Sequence, residues 1–406
     1  MLQSLSTESV IQRARDSLAP IICLCLLNVV LAGQGTVLSG TDTDRFQVTM
    51  GGRGADEGSC LIAISDGYVA AGTITGKNGD RHIWLLKVDN TGKETWSRQY
   101  SFGRYSSGEG VVAAADGGFI VVGASLASEP ANYDLRLVKT DSRGNQEWTR
   151  SFGGRGWDWG NHIAADPGGG YIITGWTDSF GSGEGDLWLI KIDDEGELVW
   201  NRTHGGIAHE QGNCAQATPD GGYIITGASA TYAVGEFDIW LLKTDSQGEV
   251  EWKRSFGGAA HDEGHYVVNC SDRGYLVLGS TSSQGAGATD VLLIKLTQSG
   301  SVDWTRVFGG RDWDWGSAVL ETSDHGFLIA GTTLSQGAGQ SDIWLLRTDL
   351  TGEREWERTM GGSDLDVGRS LASAPDGGFV ILGKTHSFGA GQSDLWLIRT
   401  NSEGRH

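Results

Sequence analysis

The chain of 406 residues contains only 5 prolines and 5 cysteines. So little proline beside 64 glycines, with no three-residue glycine period, excludes a collagen-like rod. Glycine at this density points instead to many tight turns. Of the cysteines, Cys23 and Cys25 lie in an N-terminal apolar stretch, leaving Cys60, Cys214 and Cys270. Three is an odd number and their spacing fits no metal-binding pattern, so they read as small buried apolar residues. Positive charge is also scarce: 31 Lys and Arg stand against 51 Asp and Glu, a formal net charge of −20. Such a surface repels phosphate backbones and anionic headgroups, which argues against nucleic acid as a partner. The HExxH, GxSxG, P-loop and CxxC patterns are missing, and with them the sequence signatures of the commonest hydrolytic, nucleotide-binding and redox sites. Helical periodicity is missing throughout. What is present is 38% hydrophobic residues, enough for a large core and too much for a disordered chain.

The N-terminus stands apart. Residues 18–32 form an apolar run after Arg13 and Arg15, with small Ala32 and Gly33 at its end. This predicts a secretory signal peptide over residues 1–32, cut near Ala32, followed by a linker over 33–42. The run is short for a membrane span, and Pro20 and Asn28 interrupt it, so an uncleaved anchor is the weaker alternative. No second run of that length follows, so the mature chain carries no predicted membrane span.

The remainder, 43–406, repeats every 52 residues. Asp134, Asp186, Asp238, Asp290, Asp342 and Asp394 lie on one lattice, with His82 in the first copy. Five residues further on every copy has a cation, from Lys87 to Arg399. Nine beyond that come Trp96, Trp148, Trp200, Trp252, Trp304 and Trp356. Within the fourth copy, turn signals such as Pro219-Asp-Gly-Gly222 and Asp245-Ser-Gln-Gly248 separate four short segments. The spacing predicts strands over 213–218, 223–227, 239–244 and 249–256. Four short antiparallel strands per repeat is the pattern of a propeller blade. The fold class is therefore all-β, a seven-bladed β-propeller. Only six copies contain the Trp strand, and Phe46-Gln-Val-Thr-Met50-Gly-Gly52 matches Trp148-Thr-Arg-Ser-Phe152-Gly-Gly154. The N-terminal strand is thus expected to complete the last blade, closing the ring and leaving no unpaired edges.

The regular tryptophans read as buried blade residues, and the lattice aspartates as acceptors for the backbone of the loops they end. Asp89-Asn-Thr-Gly-Lys-Glu-Thr-Trp96 and its recurrence resemble the tryptophan-docking repeat of quinoprotein-type propellers. The whole repeat, with Asp-Gly-Gly-Tyr-Ile-Ile-Thr-Gly and Phe-Gly-Ala-Gly-Gln-Ser-Asp, resembles more closely a group of secreted bacterial and archaeal propeller proteins. Some of these carry labels such as lipoprotein or endoglucanase. The resemblance covers residues 46–404 and implies fold rather than activity. Quinoprotein dehydrogenases have eight blades and a vicinal cysteine pair, and this chain has neither.

Residues that repeat hold the blade, and residues that vary at one repeat position are free to serve a ligand. Ahead of each first strand an acid recurs: Asp56, Asp158, Glu210, Asp262, Asp314 and Asp366, with Ser106 in blade two. Either these acids ring the channel mouth and attract a cation such as calcium, or each caps its own turn; their regularity favours capping. The residue before the acid varies, and in blades two to six it is Tyr105, Trp157, His209, His261 and Trp313. Trp159, Trp176 and Trp315 also stand off the blade lattice. These eight residues are the candidate ligand-binding set, because aromatic faces on one rim can stack on sugar rings or grip a partner's side chains. The bland alternative is packing under the loops. No metal site and no catalytic residue are assigned, and no cofactor is expected. The expected function is a secreted, non-catalytic binding or scaffold propeller that contacts protein or carbohydrate. The alternatives are a polysaccharide-active or degenerate quinoprotein-like enzyme, and a structural surface protein without a discrete ligand.

Overall fold

A computed structural model describes residues 45–126 and 132–406, so the expected signal peptide and linker lie outside the described residues. Every sheet among them has four antiparallel strands, and there are seven. Blade one runs Glu57–Ile64, Gly67–Thr75, Arg81–Asp89 and Glu94–Tyr100, and the others follow the same plan. The second and third strands are buried along almost their whole length, as in Tyr223–Ser229 and Asp238–Thr244. Neighbouring blades cover both of their faces, which is why they read as continuous apolar runs rather than alternating ones.

The last blade closes as the repeat requires. Phe46–Met50 pairs antiparallel with Asp394–Thr400, setting Phe46 against Arg399 and Thr49 against Trp396. In the complete blades the same register sets Lys87 against Trp96 and Lys139 against Trp148. Phe46 therefore occupies the seventh tryptophan position.

That position has a defined job. The turn after the third strand needs a glycine at positive φ, from Gly92 at 80° to Gly404 at 71°. A side chain on Gly144 would strike the Trp96 ring, one on Gly196 the Trp148 ring, and one on Gly92 the Phe46 ring. Each fourth-strand aromatic thus lies flat on the turn of the next blade, and only glycine leaves room for it. These tryptophans were expected to be buried, but they are half-exposed, because the fourth strand is the outer edge of its blade. An arginine two residues on covers the other side: the Arg150 guanidinium lies 5.0 Å from the Trp148 ring and Arg254 lies 5.1 Å from Trp252. The third-strand tryptophans are the ones fully packed, with Trp84, Trp188, Trp240, Trp344 and Trp396 at most 3% exposed.

The repeating cation bonds to the acid of the first turn in every blade, from Lys87–Asp66 at 2.8 Å to Arg399–Asp376 at 3.1 Å. A nearly buried ammonium or guanidinium is tolerable only with such a partner. First strands start earlier than the sequence predicted: the fourth copy runs Glu210–Ala217 instead of 213–218. A bulge at Gly212/Cys214 breaks the alternation that marked the strand.

Candidate functional site

The loops entering the first strands and the loops joining second to third strands lie together on one face. Short parallel bridges tie them: Arg81 to Tyr105, Gly185 to His209, Phe237 to His261, Thr289 to Trp313, Ser341 to Leu365, and Ser393 to Ala55. The residue before each acid therefore sits beside the residue before the preceding blade's lattice position, and the pairs run around the rim.

On one side of the rim these pairs form an aromatic arc. The Tyr133 ring lies 5.3 Å from Tyr105, 5.4 Å from Trp157 and 5.1 Å from Trp159. Trp176 lies 5.4 Å from His209, and Phe237 bridges His209 at 6.1 Å and His261 at 5.3 Å. Arg81 sits over Tyr105 at 5.4 Å. Trp313, next in order, is 43% exposed. On the opposite side the pairs are Ser341 with Leu365 and Ser393 with Ala55, neither of them aromatic.

The eight candidate residues divide. Tyr105, Trp157, His209 and His261 are half-buried on the rim, Trp313 is exposed, and Trp315 is half-buried within its first strand. Trp159 and Trp176 were grouped with the ligand-facing rings, and here the structure requires a correction. They are 4% and 8% exposed and pack with Ala124 beneath Tyr105, Tyr133 and Trp157. They form the floor of the arc, held there because they pair across adjacent strands of blade three. Sequence reasoning missed Tyr133 and Phe237. The signal was available: the position before the lattice aspartate varies as freely as the one before the acid, reading Arg81, Tyr133, Gly185, Phe237, Thr289, Ser341 and Ser393.

Of the two readings of the recurring acids, the hydrogen bonds fit capping, the one that their regularity favoured. Asp56, Asp158, Glu210, Asp262, Asp314 and Asp366 are all 0% exposed. Each is turned under its own loop: the Gly154 N–H donates to Asp158 at 2.8 Å, Gly206 to Glu210 at 2.7 Å and Gly310 to Asp314 at 2.7 Å. The Ser283 and Ser387 hydroxyls add bonds of 2.6 Å to Asp262 and Asp366. Among the described residues no group of three or more His, Cys, Asp or Glu side chains is placed to hold a metal ion.

Inside the rim, the channel carries groups that do not repeat. Glu263 accepts hydrogen bonds from Gln211 at 2.6 Å and Asn213 at 2.8 Å and lies 3.4 Å from the His261 ring. Burial alone would push its carboxyl up. The His261 bond, the nearby His265 and Asn213 outweigh that and hold it at about 2. His261 is raised in turn, chiefly by that same bond. On the other side Glu57 pairs with Arg81 and, at 3.3 Å, with Lys384. Deeper, His162 of blade three meets Tyr266 of blade five edge to face at 5.8 Å.

The fold and rim define the chain as a seven-bladed β-propeller whose bridged rim pairs carry a ring from Tyr105 to Trp313 and none at Ser341–Leu365 and Ser393–Ala55. No protein-family profile matches it, and neither does any curated protein sequence. Solved structures do: the WD40 domain of Neurospora crassa Pan2 (TM-score 0.52, 11% identity, covering 90% of this chain and 99% of that one). YCF48 bound to a D1 peptide also matches (TM-score 0.50, 12% identity, 87% and 96% covered), as does a puromycin hydrolase S511A mutant complex (TM-score 0.52, 12% identity, 86% and 52% covered). At these identities the likeness establishes the propeller fold alone.

Proposed function

We propose that this protein is a secreted, non-catalytic binding module that grips carbohydrate or protein with the aromatic side of the rim. The observation that carries this reading is the arc itself. Rings from consecutive blades touch through positions that the repeat leaves free, and the floor beneath them is packed. Rigid, pre-packed aromatic surface gives large contact area at small entropic cost. Secretion is supported by the predicted signal peptide and by the resemblance to secreted repeat propellers, and YCF48, a structure of similar fold, is bound to a D1 peptide, which favours a binding role. The test screens the mature chain against glycan and peptide arrays, then repeats the positive features with Trp157→Ala and Trp313→Ala. Binding to at least one class, weakened about tenfold or more by either change, is the expected result, since truncating an interface hot spot costs about 2 kcal/mol or more. Binding unchanged in both variants overturns the rim assignment.

A further inference from the structure

The two most exposed large apolar side chains among the described residues are Ile207, 86% exposed, and Val234, 82% exposed. They stand on consecutive loops of the rim face. Ile207 lies on the loop entering blade four, and Val234 on the loop joining that blade's second and third strands. The repeat asks for neither. At the position of Ile207 the other blades carry Arg53, Arg104, Arg155, Ala259, Arg311 and Ser363. At that of Val234, blades three, five, six and seven carry Ser182, Ala286, Ala338 and Ala390. One exposed apolar residue is ordinary, but two on touching loops, both departing from the repeat, mark a contact surface.

The loops are held in place. The Ala208 N–H donates to Thr231 Oγ1 at 3.0 Å and the Tyr232 hydroxyl to the Gly205 carbonyl at 3.1 Å, which ties one loop to the other. The Val234 N–H donates to Asp238 Oδ2 at 3.0 Å. Little ordering entropy is then left to lose when a partner docks. The free surface is aliphatic, because the neighbouring Tyr232 ring is already engaged by Lys253 Nζ at 4.0 Å and by Trp240 stacked at 5.3 Å. Branched aliphatic side chains offer a sugar no ring to stack on, and they pack well against the apolar side chains of another protein. Charge narrows the partner further. Glu236 is exposed two residues beyond Val234, and Glu184 is exposed on the adjoining loop of blade three. On that loop a side chain at Gly183 would strike the Ile207 carbonyl. Neither carboxylate has a salt-bridge partner among the described residues. No Lys or Arg occurs on 178–185, 205–209, 230–237 or 257–261, so aliphatic surface stands here beside uncompensated negative charge.

We infer that the rim's partner is a protein segment in which an apolar side chain is flanked by Lys or Arg, the apolar side chain seated on Ile207 and Val234 and the cation on Glu184 or Glu236. This rests on the rim reading above and chooses protein over carbohydrate within it. The patch continues into the arc through His209, two residues after Ile207, and Phe237, three after Val234. A net charge of −20 also steers a basic partner toward the chain.

The experiment selects a displayed library of random peptides on the full chain and measures the affinity of the selected peptides by calorimetry. Each variant borrows the residue that another blade carries at the same position: Ile207→Ala from blade five, Val234→Ala from blades five to seven, and Glu236→Gln from blades six and seven. All three should therefore melt with the parent, so that lost binding does not report unfolding. The selected peptides are expected to combine an apolar residue with Lys or Arg. Ile207→Ala should weaken them about tenfold or more, and Val234→Ala by a smaller factor. Glu236→Gln should weaken them about fivefold at low salt, the worth of one ion pair at about 4 Å in water, and by much less at high salt. Selected peptides without basic residues, affinity unchanged in Ile207→Ala, or a selection that yields no binder overturns the inference. The rim reading is judged apart from it: peptides or glycans whose binding needs Trp157 or Trp313 but not Ile207 would leave that reading standing and overturn this inference alone.

Discussion

Replacing Phe46 with alanine tests ring closure, because this one side chain performs in blade seven what tryptophan performs in six other blades. Phe46 is 6% exposed and belongs to a cluster containing Leu61, Tyr68, Trp84, Leu395 and Leu397, drawn from blades one and seven. Its ring also covers the Gly92 turn of blade one. Truncation loses the transfer free energy of the ring and leaves a hollow that a blade junction cannot collapse to fill. The expected loss is about 3–5 kcal/mol, typical of buried Phe→Ala. Phe46→Trp, by contrast, installs the residue that occupies the equivalent place in every other blade, and should cost less than about 1.5 kcal/mol or stabilise the fold. Removing residues 1–50 goes further. It strips Asp394–Thr400 of its outer partner and exposes an edge that pairs with other chains, so the truncated protein should aggregate on heating. Urea unfolding followed by tryptophan fluorescence measures the first two, and light scattering the third. A Phe46→Ala midpoint equal to the parent's, with an unchanged slope, would refute closure by this strand.

Two further predictions follow from the charges. Asp186 Oδ1 is buried without a partner, and a side chain on Gly205 would collide with both it and Glu210 Oε2, so two carboxylates face each other across that glycine. Burial first, and then the Glu210 charge, raise Asp186 above its ordinary value, against the Ser182 backbone bond. A raised acid destabilises the fold above its folded pKa and ceases to do so as pH falls through it. Asp186→Asn keeps the acceptor for Ser182 and supplies a donor to Glu210. It should stabilise the protein at pH 7 by about 1 kcal/mol, with the gain fading toward about pH 4; thermal melts across that range that show no gain at pH 7 contradict the pairing. In a histidine NMR titration, His261 should titrate above its ordinary value because it bonds Glu263, while desolvation makes His209 and His265 titrate below theirs. Glu263→Gln should bring His261 down, and an unmoved His261 would mean that the bond does not form in solution.

The fold was legible because a propeller writes each structural demand seven times. Lattice aspartates, turn glycines and paired cations recur at one spacing, and even the displaced strand at Phe46 could be matched to its missing place. The rim was legible only in part. Trp157 and Trp313 stood out as departures from the repeat, but their depth did not, since Trp157 and Trp159 differ by two residues and yet one lies on the rim and the other beneath it. Tyr133 and Phe237 were overlooked because their partners Trp157 and His261 belong to the next blade, and cross-blade neighbours share no local pattern. The capping acids were the reverse case: regularity marked them as structural, and burial at 0% agrees. The Glu263 hydrogen bonds could not be read from the chain, because they depend on which face of an inner strand a side chain takes.

The central claim is that repeated residues hold this fold while unrepeated rim residues bind. Melting and binding of Trp313→Ala, measured side by side, test it most directly. The ring is 43% exposed and its backbone bond to Leu334 survives the change. Stability should therefore move by no more than about 0.5 kcal/mol, while affinity for the ligand found by array falls about tenfold or more. Unaltered affinity together with a clear loss of stability would contradict the account, by making Trp313 one more packing residue.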